Sequence, residues 1–225
     1  MSTISLINPW TSLPPVPPYA LAADEPYVAR YNARASSAKQ YDLTLLPEPY
    51  FGAPSAPVLP LALNPGWSPN DTGVHAQGWF AEQSRQSLAH ALRPCPFLHL
   101  QPGSSTPGSE WWQRIAGPLI RDAGFEAVAK CLMCVQFFPY HSKEFGSASL
   151  AVPSQQYSFA LVRIALRRGA EVVIMRSWRL WSAALTELRA YPRIHFVRNP
   201  RNPSLSSKNL ASGYRAVLAR VEAGA

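Results

Sequence analysis

The chain has 225 residues, of which 47% are hydrophobic, enough to bury one sizeable core and in keeping with a single domain. No apolar run approaches the roughly 20 residues needed to span a bilayer, and three cysteines without an even framework or a secretory signal point to a reducing, cytoplasmic setting. The formal charge of +8 is unevenly placed: up to Val162 there are nine Lys or Arg against ten Asp or Glu, but residues 163–220 hold twelve against Glu171 and Glu187 alone. The C-terminal third therefore presents either a surface for a polyanion or a solvated basic face.

In chain order, residues 1–56 are rich in Pro, Ser and Ala and carry little helical periodicity, so they are expected to form an extended arm. Tyr19, Tyr27, Tyr41, Tyr50 and Phe51 would anchor it by packing. Residues 57–225 then alternate short apolar runs with longer amphipathic ones, the pattern of βαβ units. Strands are expected at 58–63, 97–100, 131–136, 172–175 and 194–197. Helices are expected at 77–92, 109–123, 154–168, 178–190 and 208–221. These elements predict a three-layer α/β/α sandwich around a mainly parallel sheet of about four strands, which would bind ligands at the carboxyl ends of its strands. Cys131 and Cys134 form a C-x-x-C, but no second Cys or His pair completes a metal site, so they read as core thiols. His90, His99 and His195 fall in ordinary helix or strand positions and read as structural.

Each unusual polar cluster follows an expected strand: Asn64-Pro65-Gly66, the run from Gln136 through Phe137 and Tyr140 to His141, Arg176-Ser177-Trp178, and the run Asn199 to Ser206. Four such loops would converge on one cleft. Pro fixes φ and Gly lets a ligand approach the main chain, so the loops read as shaped walls. Asn-Pro is also an ordinary turn signal.

Leu63-Asn64-Pro65-Gly66 with Thr72-Gly73-Val74 resembles the first motif of the uracil-DNA glycosylase superfamily, nearest its single-strand-selective and mismatch-specific branches. The run Val135 to Pro139 sits where those enzymes end a strand in a base-reading Asn, and Asn199 to Ser206 is similar to their minor-groove loop. The resemblance covers about residues 57–222. It implies a monomeric enzyme without metal or cofactor that binds duplex DNA, flips out a base and hydrolyses its glycosidic bond. It assigns Asn64 to the attacking water, and Asn199 or Asn202 to the leaving base. Asp71 either orients water, meets an exocyclic amine or is a solvated loop acid. Pro65, Gly66, Trp67, His75, Ala76, Gln136, Phe137, Tyr140 and His141 would line the base pocket, although a buried, backbone-satisfied role suits His141 as well. Leu205 would wedge the base stack, with Arg176, Arg198, Arg201, Ser204, Ser206 and Lys208 on the DNA.

Two departures bear on the substrate. Gln136 stands where the family has Asn, and His75-Ala76 where one branch has Pro and a stacking Phe. Either Trp67, Trp79 or Phe80 supplies the missing ring, giving a uracil or mismatch enzyme of base-excision repair, or the pocket admits a bulkier modified pyrimidine such as a modified cytosine of phage DNA, giving an enzyme of antiphage defence. A non-catalytic DNA-binding module of the same fold is the third possibility.

Overall fold

A computed structural model describes residues 7–146 and 151–224. The chain is an α/β protein with a five-stranded mixed sheet in the order β1-β3-β2-β4-β5. The strands are β1 Tyr50–Gly52, β2 Val58–Ala62, β3 Met133–Gln136, β4 Glu171–Ile174 and β5 Ile194–Phe196. β2 to β5 run parallel, and β1 pairs antiparallel with β3, Tyr50 opposite Val135. The sheet therefore has five strands and is mixed, against an expected four or so. The extra strand comes from the arm.

Alternation along the strands sends side chains to two separate cores. Leu59, Leu61, Val135, Val172 and Ile174 enter one; Val58, Ala62, Cys134 and Val173 enter the other. Helix α6 (Gln155–Arg167) and helix α7 (Trp178–Ala184) supply the first core. Helix α4 (Pro107–Ala123), helix α5 (Phe125–Cys131) and helix α9 (Gly213–Ala223) supply the second. Both faces are covered, which is why β2, β3 and β4 are buried throughout and read in sequence as apolar runs.

β2 tolerates Pro60 in mid-strand because of which side its missing donor faces. The carbonyls of Pro57 and Leu61 accept from Glu171 and Met175 on the β4 side, so the even residues face β3. There the pairing is sparse, limited to Leu61 and Ala62 with a bridge at Val58, and no regular ladder bond is lost.

Residues 97–100 are not a strand. Leu98–Leu100 form a 3₁₀ turn, and its apolar residues pack on Phe51 and Trp112. Helix α5 runs to Cys131, so β3 starts at Met133; Cys131 and Cys134 are buried free thiols. The expected helix at 178–190 breaks into α7 and a 3₁₀ turn, Thr186–Ala190. That at 208–221 breaks into α8 (Ser207–Leu210) and α9. Helix α4 starts where sequence rules place a start: Pro107 opens it, and Thr106 Oγ1 accepts the Ser109 N–H at 3.1 Å.

The arm is part of the folded body. Trp10, Leu21, Val28, Tyr41 and Leu46 are all buried in the first core. Helix α1 (Glu25–Asn32) is preceded by Asp24, which is fully buried and accepts hydrogen bonds from Tyr140 Oη at 2.8 Å and the Ser154 N–H at 2.9 Å. The arm is thereby tied to the loop after β3 and to the start of α6. No helix of the described residues is long and apolar enough to cross a membrane.

Candidate functional site

The carboxyl ends of the parallel strands open into one cavity of about 580 Å3. β2 sends its connection towards β3 and β4 sends its own towards β5, so the loops part here and leave a crevice between them. Residues 62–67 after β2, Gln136 and 141–145 from β3, Met175 and Arg176 after β4, and Pro203 after β5 line it. Helix α2 (Asp71–His75), helix α3 (Gly78–Leu88) and the start of α4 close the far side with Val74, Phe80 and Trp111.

Hydrogen bonds hold the loops in register. Phe138 N–H donates to the Leu63 carbonyl at 2.8 Å. Asn64 Nδ2 donates to the Pro65 carbonyl and to Ser142 Oγ, each at 2.9 Å. A carbonyl can only accept, so the nitrogen of the Asn64 amide must face Pro65, and Oδ1 is left as a free acceptor. Arg176 Nε donates to the Pro200 carbonyl at 3.0 Å, tying the β4 loop to the β5 loop. Ser177 follows in the left-handed region at φ 59°, turning the chain sharply into α7.

Gln136 is buried on the cavity, and its Oε1 has no hydrogen-bond partner among the described residues. An unpaired buried acceptor costs about 1 to 3 kcal/mol, so the position favours a guest that brings a donor. Asp71 is half-buried; burial raises its pKa against the Ser68 N–H, which donates to Oδ2 at 2.6 Å. Trp67 donates from Nε1 to Asp42 at 3.1 Å, and Lys143 Nζ lies 4.2 Å from its ring centroid.

Beneath these residues lies a buried cluster. Glu48 Oε2 is 2.9 Å from His99 Nε2, and Oε1 is 3.9 Å from His141 Nε2. Burial alone would raise the Glu48 pKa, but the charge and hydrogen bond of His99, with His141 and His75, outweigh it and hold it at about 2. His141 turns Nδ1 to the Gly66 carbonyl at 2.6 Å and Nε2 to the Leu46 carbonyl at 3.1 Å. His75 Nδ1 accepts the Leu46 N–H at 3.0 Å. Gly108 has no side chain because the His99 ring stands 2.5 Å from where a Cβ would be. Glu48, His75 and His141 bring ligand-type atoms within 4.8 Å of one another. As a metal centre the set fits poorly. Leu46 N–H occupies the His75 Nδ1 lone pair, which leaves the proton on Nε2, and the His141 nitrogens are turned to two carbonyls.

Of the residues expected from sequence, Asn64, Pro65, Gly66, Trp67, Asp71, His75, Gln136, His141 and Arg176 meet at this cavity. Others lie elsewhere. Ala76 is exposed at the end of α2 and outside the cavity lining, because the helix turns its Cβ to solvent. Tyr140 is fully buried on the arm side, its hydroxyl committed to Asp24. Phe137 packs against Phe159 and Trp181 on the opposite face of the sheet from Ala62. Leu205 is fully buried in the second core, with its N–H on the Ile115 carbonyl at 2.8 Å, and is no exposed wedge. Asn199 and Asn202 are exposed; Asn199 Oδ1 accepts the N–H groups of Arg201 and Asn202. Neither lines the cavity, and Pro203 is the residue of this loop that does.

Buried Asn209 shapes that loop. Its Oδ1 accepts from Asn199 N–H at 2.8 Å, and its Nδ2 donates to the carbonyls of Asn202 and Ser204 at 3.1 and 2.9 Å. Ser206 Oγ caps α8 on Asn209 N–H and meets Ser204 Oγ at 3.2 Å. Arg198, Arg201 and Lys208 stay exposed. Sequence reasoning missed Glu48, His99 and Asn209, since each acts through partners distant in the chain.

Comparisons of the chain with protein-family models, with curated proteins and with solved structures give no match.

Proposed function

We propose that the protein is a DNA glycosylase, a divergent relative of the uracil-DNA glycosylase superfamily, which binds duplex DNA, takes one base out of the stack and hydrolyses its N-glycosidic bond. The observation that carries this reading is the meeting of Asn64 Oδ1, a free acceptor at the end of β2, with the unpartnered amide of Gln136 at the end of β3 in one cavity. Helices on both faces of the sheet support the corresponding three-layer α/β/α sandwich.

In this reading Gln136 meets the edge of the flipped base, offering both an acceptor and a donor. Asn64 orients a water towards C1′. The C1′–N bond breaks with its electron pair going to the base, the water oxygen bonds to C1′, and the water's proton passes to Asp71 or to solvent. Asp71 is the better acceptor for its raised pKa. The chemistry needs no metal or cofactor, only placement and charge stabilisation. Exposed Arg198, Arg201 and Lys208, on and beside the loop that reaches the cavity through Pro203, supply phosphate contacts.

The volume favours a bulky substrate. Cavities of roughly 300 to 1,000 Å3 hold drug-sized ligands, and about 580 Å3 exceeds what a bare pyrimidine fills, so we assign a pyrimidine enlarged at its 5-position, such as a modified cytosine. Phe80, in the wall beside His75 at 4.7 Å between centroids, favours a second reading, a uracil or mismatch enzyme whose stacking ring comes from α3. The test is incubation with DNAs carrying uracil, thymine mismatches, hydroxymethylcytosine or glucosylated hydroxymethylcytosine, followed by alkaline cleavage of abasic sites. Cleavage on the last two supports the bulky guest, cleavage on uracil alone the second reading. No cleavage on any of them overturns the enzyme.

A further inference from the structure

A base that leaves with an electron pair collects negative charge on its ring nitrogens and exocyclic oxygen, and it leaves faster when a fixed N–H points at that oxygen. The amide oxygens of Asn64 and Gln136 are acceptors. Arg176 holds the mouth through Pro200, and Asn199 and Asn202 are outside the cavity. The loop from which such a donor was expected therefore does not reach the guest.

His75 does. Its Nδ1 faces the Leu46 N–H at 3.0 Å, a group that only donates, so in the neutral ring the proton must sit on Nε2. Burial pushes the pKa of His75 down to about 3, which keeps the ring neutral at pH 7. Phe80 packs against it at 4.7 Å, and His141 stands edge-on at 5.1 Å, so the ring cannot turn freely. Glu48, His99, His141 and Asp42 are the titratable groups around it, yet none of them takes a hydrogen bond from it, and Nε2–H has no partner among the described residues. The side chain lines the cavity together with Asn64, Asp71 and Gln136.

We infer that His75 is the catalytic donor to the leaving base, its Nε2–H hydrogen-bonding the exocyclic oxygen next to the scissile nitrogen as the C1′–N bond breaks. This rests on the glycosylase reading. No proton moves from His75: the electron pair of the broken bond goes into the base, which later takes a proton from solvent. A neutral donor locked in one tautomer suits that task, because it stabilises the anion without giving up its own proton.

The test compares wild type, His75→Phe and His75→Gln under single-turnover conditions. The substrates are a DNA that wild type cleaves and the same DNA with a 5-fluoro base, which leaves more readily. His75→Phe should slow release about a hundredfold with unchanged DNA affinity. The penalty should shrink several-fold on the fluorinated base, and His75→Gln, which returns an N–H, should recover part of the loss. An equal penalty on both bases, or none, overturns the assignment and leaves His75 a packing residue. Independently of turnover, nitrogen NMR of the free protein at pH 7 should find the Nε2–H tautomer; an Nδ1–H tautomer or a charged ring would overturn it too. Absence of release by wild type from every DNA is a different failure, that of the glycosylase reading, and the assignment falls with it.

Discussion

Asn64 and Ser142, 78 residues apart in the chain, are joined by a 2.9 Å hydrogen bond from Nδ2 to Oγ, and this bond helps decide which end of the amide faces the cavity. With Nδ2 held by Ser142 and the Pro65 carbonyl, Oδ1 is the end that can hold a water. Asn64→Ala should therefore keep DNA binding and lose roughly two to three orders of magnitude in base release, the usual cost of a contact made in the transition state. Ser142→Ala should cost less, since one of the two anchors remains. Single-turnover assays with both variants check this; equal losses would mean that Ser142 itself touches the substrate.

How much of this site could be read from the sequence depends on the range of the contacts involved. β2, β3, β4 and β5 showed as apolar runs, and the polar residues after them fell at one end of the sheet because parallel strands put their carboxyl ends together. β1 did not show, because three residues among prolines carry no pattern and their pairing with β3 spans about 80 positions. Glu48 and His99 escaped for the same reason: a glutamate in a Pro-rich segment and a histidine in an apolar run gain meaning only when they meet across 51 residues. Residues 97–100 misled because burial against Phe51 and Trp112 selects the same side chains as a strand does. Leu205 and Ala76 misled because position within a motif does not fix burial.

Leu205 offers a direct contrast between motif and structure. A wedge residue truncated to Ala would slow base release and leave the fold alone. Leu205 is fully buried, so Leu205→Ala should instead lower stability by about 2 to 5 kcal/mol, the range for a Leu removed from a packed core. Denaturant unfolding decides it. An unchanged midpoint together with slowed release would return Leu205 to the DNA.

Charge on the last loop is predicted to act through phosphates. Arg201 and Lys208 are both exposed, and each phosphate contact adds about 0.9 to the slope of log affinity against log salt. Arg201→Ala and Lys208→Ala should each flatten that slope by about one unit. Fluorescence anisotropy with labelled duplex across a salt series measures it, and an unaltered slope in both variants would assign these charges to solvent.

The pH dependence of stability follows from His75 and Glu48. His75 is held at about 3 against an ordinary 6.5. The unfolded chain therefore binds a proton that the folded one refuses, and this contribution to stability is complete above about pH 6.5 and is lost as pH falls towards 3. Glu48, held at about 2 against 4.5, adds a second loss between those values. Each proton contributes about 1.4 kcal/mol per pH unit. Urea unfolding at pH 7, 5.5 and 4.5 should show the first loss, and His75→Phe should flatten it. His90, held by burial at about 4, keeps part of the slope in that variant. A variant that falls as steeply as wild type would place the effect elsewhere.

Substrate size can be decided at Val74. It lies on α2 and lines the cavity, whereas Ala76, two residues on, faces solvent. Filling space that a guest occupies costs about 1 to 3 kcal/mol, roughly tenfold to a hundredfold in specificity. If the guest is a pyrimidine with a large 5-substituent, Val74→Phe should impair its release by that factor and spare uracil, which leaves room for the added ring. Ala76→Phe should change neither, because its ring would project into water. Release of both bases by the two variants, each referred to wild type under single-turnover conditions, separates the cases. Equal loss on uracil and on the bulky base at Val74→Phe would mean that the guest sits elsewhere in the cavity, against Trp67 and Gln136, and that the unfilled volume beside α2 has no part in substrate choice.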